Sequence, residues 1–161
     1  MMKNIKIGYY YIECNIDELP LKDKELVKTA CEATQNSYAP YSQFYVGAAV
    51  RLKNGAIITG SNQENAAYPS GLCAERTAIF HAQHLYPDVG IDTLAIAGRN
   101  KDGLTSFIIP PCGACRQVMA EVENRSHTPL RIILYSTSRI LIIENTSILL
   151  PFTFCSDHLK E

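Results

Sequence analysis

Three of the six cysteines have the types and spacing of metal ligands: Cys73 opens the run Cys73-Ala74-Glu75, and Cys112 and Cys115 form the pair in Pro111-Cys112-Gly113-Ala114-Cys115. Each half stands where a helix is predicted to begin. Thiolates gain there from the positive end of the helix dipole and from unpaired backbone N–H groups, and three of them suit Zn²⁺ at a Zn–S distance of about 2.3 Å. A structural zinc is normally closed by a fourth protein ligand, and the sequence offers no obvious one. The open position is then filled by water, the pattern of a catalytic site, and Glu75 is the natural proton carrier beside it. Taken alone, the C-x-x-C pair serves equally well as a redox couple, and an acid in a helix first turn needs no function. It is the conjunction that points to hydrolytic zinc chemistry. Cys14, Cys31 and Cys155 have no partner logic, and His81 and His84, three apart on one helix, lack a third ligand.

The elements that must position these groups can be read from pattern. Residues 22–36 carry apolar Leu26, Ala30 and Ala33 at helical spacing. The runs 44–52 and 56–62 flank Lys53-Asn54-Gly55, an Asn-Gly hairpin turn. A second helix is predicted over 73–86 and a buried strand over 93–98, and the segment after Pro110-Pro111 is helical, with proline where helices begin. Two apolar runs in 131–145 are joined by only Tyr135 to Ser138; a parallel crossover needs a dozen residues or more, so adjacent strands there must be antiparallel. Residues 5–12 are β-branched and aromatic and read as an appended edge strand.

Composition bounds the rest. At 161 residues, 47% hydrophobic and 19% charged, the chain suits one globular domain rather than disorder. Fifteen basic against sixteen acidic residues leave a net charge of −1 with no basic stripe, which disfavours nucleic acid as a partner. The greasiest region, 132–150, is interrupted by polar residues, so no membrane partner is expected. The N-terminus lacks a secretory pattern, so a cytoplasmic protein is expected, and its thiols are read as ligands or core residues rather than disulfides. Neither a GxGxxG nor a Walker-type loop is present.

The runs YSQFYVGAA (41–49), GSNQENAAY (60–68), CAERTAI (73–79), PCGACRQ (112–117 with Pro111) and LLPFTF (149–154) together resemble the nucleoside cytidine deaminases, homotetrameric enzymes with three cysteine ligands to zinc. The resemblance covers about 24–157. It implies Zn²⁺ on Cys73, Cys112 and Cys115, Glu75 as proton shuttle, Phe44 against the nucleoside, Asn62 and Glu64 on the ribose 3′-hydroxyl, and the Ala74 backbone on the pyrimidine carbonyl. It further implies that Tyr68 and Phe154 reach the site of a neighbouring subunit, and that Arg76 bonds the zinc thiolates. Three thiolates on Zn²⁺ sum to −1, so a nearby cation has an electrostatic purpose. Asn62 and Glu64, two apart at a strand end, can share a face, yet the same residues serve as helix-capping turn residues. Two positions depart from the family pattern: Pro110 for the usual Ser or Thr, and Phe152 for a small residue.

The expected fold is a three-layer α/β/α domain on a mixed five-stranded sheet with its last two strands antiparallel. Residues 1–20 are set apart as an N-terminal extension open to forming an extra strand, and residues 21–161 as the zinc-dependent deaminase domain. The expected reaction is hydrolysis of cytidine and 2′-deoxycytidine to uridine and 2′-deoxyuridine with release of ammonia, a pyrimidine-salvage step in a homotetramer with shared sites. Two other readings remain: a zinc deaminase of another amino-heterocycle, such as an aminonucleoside antibiotic or a purine base, and a zinc-stapled interaction domain without catalysis.

Overall fold

The computed structural model describes residues 2–160. Its strands and helices run β1 (Ile12–Cys14), α1 (Leu21–Ala33), β2 (Tyr45–Leu52), β3 (Ile57–Ser61), α2 (Ala74–Leu85), β4 (Ile91–Asn100), β5 (Gly103–Leu104), α3 (Gly113–Ser126), β6 (Arg131–Tyr135) and β7 (Ile140–Ile143). They build one sheet in the order β1-β7-β6-β4-β2-β3, with β5 hydrogen-bonded to β4 beyond the end of β6, on the side of β4 away from β2. Only β4 and β6 pair in parallel; the other neighbours are antiparallel.

The connections place the helices. From β3 the chain passes over β2 through α2 to β4, then through α3 to β6, moving the same way across the sheet each time. Right-handed crossovers in one direction put both helices on one face and both helix N-termini at one end of the sheet. Side-chain alternation agrees. Ala48, Val50, Leu94, Ile96 and Ile132 meet Ala78, Ile79, Met119 and Val122 on that face. Ala49, Ala95, Ala97, Ile133 and Ile142 meet Leu26, Val27 and Ala30 of α1 on the other. The result is three layers. Two glycines set the spacing: an added Cβ at Gly47 would collide with the Ala30 carbonyl, and one at Gly60 with the Ala74 carbonyl and the Ala78 nitrogen. Gly60 thus lets the first turn of α2 lie directly on β3.

The sheet has seven strands, not the five expected. The five core strands are present; the two additions are short pairings created by neighbours rather than by local pattern. β1 forms at Ile12–Cys14, where Ile12, Glu13 and Cys14 find Ile142, Leu141 and Ile140 on β7, and not over 5–12. Among the described residues, 5–11 pair with no strand and lie exposed. β5 is the return of the 101–102 turn onto Arg99 and Asn100. The Asn-Gly hairpin forms as read, with Gly55 at φ +87° and its N–H donating to the Leu52 carbonyl. The tight β6–β7 connection is antiparallel, closed by the Ser136 hydroxyl donating to the Arg139 carbonyl at 2.7 Å. No helix among the described residues is long and apolar enough to cross a membrane.

Candidate metal centre and adjoining cleft

Cys73 is the N-cap of α2 and Cys112 the N-cap of α3, both in extended conformation, so each thiol stands beside a helix start whose first amides are free of intrahelical bonds. Cys115 follows one turn into α3 and is fully buried. The two crossovers bring these ends together: Cys73 Sγ lies 3.6 Å from Cys112 Sγ, and Cys112 Sγ 3.4 Å from Cys115 Sγ. All three sulfurs lie within 4.8 Å of one another. Tetrahedral Zn–S bonds of 2.3 Å require sulfurs about 3.8 Å apart, so the three atoms fit one zinc ion, with soft donors of the right chemistry. Among the described residues no fourth Cys, His, Asp or Glu joins this cluster.

Electrostatics at the site favours anionic sulfur. Hydrogen bonding from the Cys115 thiol, followed by Arg76, holds the Cys73 thiol down at about 5, while the same shared proton and burial push Cys115 up. Binding a cation displaces that proton. Arg76 Nη2 lies 3.9 Å from Cys73 Sγ and 3.5 Å from the Gly71 carbonyl oxygen, whereas its buried Nε has no hydrogen-bond partner among the described residues. Glu75, in the first turn of α2, is 4% exposed. Burial, reinforced by the negative charge of Cys73, raises its carboxyl above the ordinary glutamate value. A group so poised exchanges protons more readily near neutral pH than a solvated carboxylate does.

A cleft of about 600 Å³ opens beside Cys73 and Arg76. Its other walls include Tyr41, Ser42, Asn62, Glu64, Tyr68 and Leu72. The structure therefore brings Asn62, Glu64, Tyr68, Cys73 and Arg76 to one surface. Asn62 and Glu64 do not cap the next helix. Asn62 Nδ2 donates to the Phe44 carbonyl at 2.9 Å and its Oδ1 accepts from the Val46 N–H at 2.8 Å. Glu64 Oε2 accepts from the N–H groups of Tyr41 and Ser42 at 2.9 and 3.3 Å. Both side chains clasp the loop that leads into β2. Tyr41 and Ser42 were legible only as members of the run YSQFYVGAA; what brings them to the cleft is this long-range clasp.

Phe44 is half-buried, its ring tip 3.3 Å from where a Cβ on Gly98 would stand. Ile109 fills the same notch, three residues before Cys112. Ala74 is fully buried at the helix start. Tyr68 is 78% exposed and meets Tyr41 edge to face at 6.3 Å. Phe154 is 59% exposed and stacks on His158. Its segment is tied to α3: Arg116 Nη1 donates to the Leu149 carbonyl and Gln117 Nε2 to the Phe154 carbonyl, at 3.0 and 2.9 Å. Phe154 does not line the cleft of its own chain. Phe152 is 93% exposed at φ +57°.

Residues 20–128 match the sequence profile described as the cytidine and deoxycytidylate deaminase zinc-binding region. A cytidine deaminase from Sporosarcina psychrophila is 38% identical over 139 residues, covering 85% of this chain and 94% of that protein. One from Halalkalibacterium halodurans is 50% identical over 97 residues, 60% of this chain and 69% of that protein. The crystal structure of cytidine deaminase from Burkholderia pseudomallei superposes with a TM-score of 0.68 at 36% identity, covering 81% of this chain and 97% of that one.

Proposed function

The chain belongs to the cytidine and deoxycytidylate deaminase zinc-binding family, and from that membership we propose that it hydrolyses free cytidine and 2′-deoxycytidine to uridine and 2′-deoxyuridine, releasing ammonia in pyrimidine salvage. The observation that carries this reading is the meeting of three thiols from two helix starts beside one buried carboxyl. Cys73, Cys112 and Cys115 hold the zinc. Bound there, zinc supplies Lewis acidity that lowers the pKa of a coordinated water enough for hydrolysis near neutral pH.

The chain's own groups do the rest. Glu75 takes the proton that the attacking water gives up, delivers it to N3 of the pyrimidine, and passes a proton to the departing 4-amino group. Its raised pKa suits both directions of transfer. The backbone of Ala74, at the first turn of α2, reads the pyrimidine carbonyl. Arg76 offsets the excess negative charge of three thiolates. Phe44 packs against the nucleoside, and Asn62 and Glu64 hold the ribose 3′-hydroxyl. A free nucleoside suits the cleft better than a nucleotide, because Arg76 is the sole Lys or Arg among its lining residues and faces the sulfurs, while Glu64 repels phosphate. Tyr68 and Phe154, exposed in the single chain, reach the sites of neighbouring subunits in a homotetramer. The protein acts in the cytoplasm.

The test is the loss of absorbance on deamination of cytidine, 2′-deoxycytidine, cytosine and 2′-deoxycytidine monophosphate, with zinc measured on the same sample. Turnover of the two nucleosides, and its loss by about 10³-fold in Glu75→Gln with zinc retained, is expected. A zinc-loaded parent that deaminates none of the four overturns the reading.

A further inference from the structure

The loop between α1 and β2 is held from both ends and is sharply bent between them. Glu64 Oε2 accepts from the amides of Tyr41 and Ser42, and the Asn62 side chain bonds the Phe44 carbonyl and the Val46 amide. Between these anchors Gln43 sits at φ +54°, a left-handed conformation that a residue with a Cβ keeps only where its surroundings over-determine it. Its N–H donates to the Ala39 carbonyl at 3.0 Å. The bend folds the chain back so that the Phe44 N–H donates to the Ser42 hydroxyl oxygen at 3.1 Å.

On the other side of the same residue the Ser42 N–H donates to Glu64 Oε2 at 3.3 Å. Ser42 therefore touches both the carboxylate assigned to the ribose, through its amide, and the amide of the aromatic residue assigned to the nucleoside, through its hydroxyl. We infer that Ser42 is a positioning residue for nucleoside binding, coupling Glu64 to Phe44 so that the sugar contact and the ring contact are set together.

This inference rests on the nucleoside reading of the cleft. It concerns binding rather than folding, because the loop keeps its anchors at Ala39, Glu64 and Asn62 when the hydroxyl is removed. It also differs from a direct contact: Ser42 acts through two other side chains, so its effect depends on both.

The experiment compares Ser42→Ala, Ser42→Thr, Glu64→Gln and the double variant Ser42→Ala/Glu64→Gln in the zinc-loaded enzyme, with cytidine as substrate. Ser42→Ala is expected to raise KM about tenfold, the scale of one lost hydrogen bond, with kcat within about twofold and an unchanged melting temperature. Ser42→Thr, which keeps the hydroxyl, restores KM. In the double variant the two KM effects combine to less than their product, the signature of one coupled unit. Multiplicative effects, an unchanged KM in Ser42→Ala, or a KM loss that threonine does not rescue each overturn the coupling while leaving the nucleoside reading intact. If Glu64→Gln leaves KM unchanged, the assignment of this cleft to the ribose fails, and the role of Ser42 with it.

Discussion

Cys73 and Cys112 stand 39 positions apart in the chain, yet their sulfur atoms lie 3.6 Å from one another, joined across the starts of α2 and α3. Sheet topology alone brings them together, since two same-handed crossovers deliver two helix N-termini to one end of the sheet. A metal bound there ties the β3–α2 and β4–α3 units to each other, so it adds to folding stability as well as to chemistry.

Removal of the metal therefore lowers the melting temperature as well as abolishing turnover. For a zinc site whose free-metal concentration is about 100 times its Kd, linkage contributes about 2.7 kcal/mol, which for a chain of this size is a fall of roughly 5–10 °C. Differential scanning fluorimetry of the protein before and after a strong chelator, with metal content measured in parallel, reads both effects. An apoprotein that melts with the loaded protein shows that the three sulfurs carry no shared ion.

Arg76 sits between chemistry and scaffold, with Nη2 shared between the Cys73 sulfur and the Gly71 carbonyl. In the proposed chemistry this cation offsets the thiolate charge, and replacing it with glutamine removes it while leaving the three cysteines in place. Turnover is expected to fall about tenfold, equivalent to about 1.4 kcal/mol in the barrier, and the acid limb of the pH–rate profile to move to higher pH. Zinc stoichiometry remains one per chain. A profile superimposable on that of the parent contradicts the electrostatic role.

The centre of this site was legible in the sequence because its signal is local: a C-x-E run and a P-C-x-x-C run, each at a helix start. The five core strands and three helices were legible for the same reason, their apolar periods being long enough to fix their type. β1 was misplaced because Ile12–Cys14 is a strand only by virtue of the β7 edge beside it, while the more β-prone 5–11 pairs with no strand among the described residues. The clasp at Asn62 and Glu64 was likewise hidden. Neither residue's spacing reveals that its side chain is spent on backbone groups of residues 41–46, because that contact exists only once β2 and β3 have paired.

Arg51 on β2 joins α1 to the sheet through a buried ion network. Its guanidinium donates to Asp23 at 3.0 Å, to Asp92 at 2.8 Å and to the Thr93 hydroxyl at 2.9 Å, and Asp23, only 1% exposed, is completed by Arg131 at 2.8 Å. Arg51→Met leaves buried acceptors short of donors and is expected to cost about 3 kcal/mol, read as a lower urea midpoint at pH 7. Partial burial works against ionisation of Asp92, but Arg51 and Thr93 outweigh it and hold the carboxyl below the ordinary value of 3.8. A depressed carboxylate stabilises the fold fully above 3.8 and ceases to do so as pH falls through its lower folded value. The difference between parent and variant therefore narrows below about pH 4. A gap that stays constant down to pH 3 assigns the loss to packing rather than charge.

His127 ends α3 in the left-handed conformation, φ 50° and ψ 36°, and its N–H reaches back to the carbonyls of Asn124 and Glu123. Glycine is the residue that adopts this cap without a Cβ penalty, whereas histidine is strained there by about 1–2 kcal/mol. Nothing at the metal centre depends on this side chain, which lines a separate cavity with Asn124 and Cys155. His127→Gly keeps the two capping bonds and relieves the strain, at the cost of a more flexible unfolded chain. The net gain is expected to be about 1 kcal/mol, a rise in melting temperature of roughly 2–4 °C with kcat and KM unchanged. His127→Ala keeps a Cβ at the same φ and gains nothing. Equal melting of the two variants shows that the imidazole itself, and not the backbone it strains, sets the stability of this helix end.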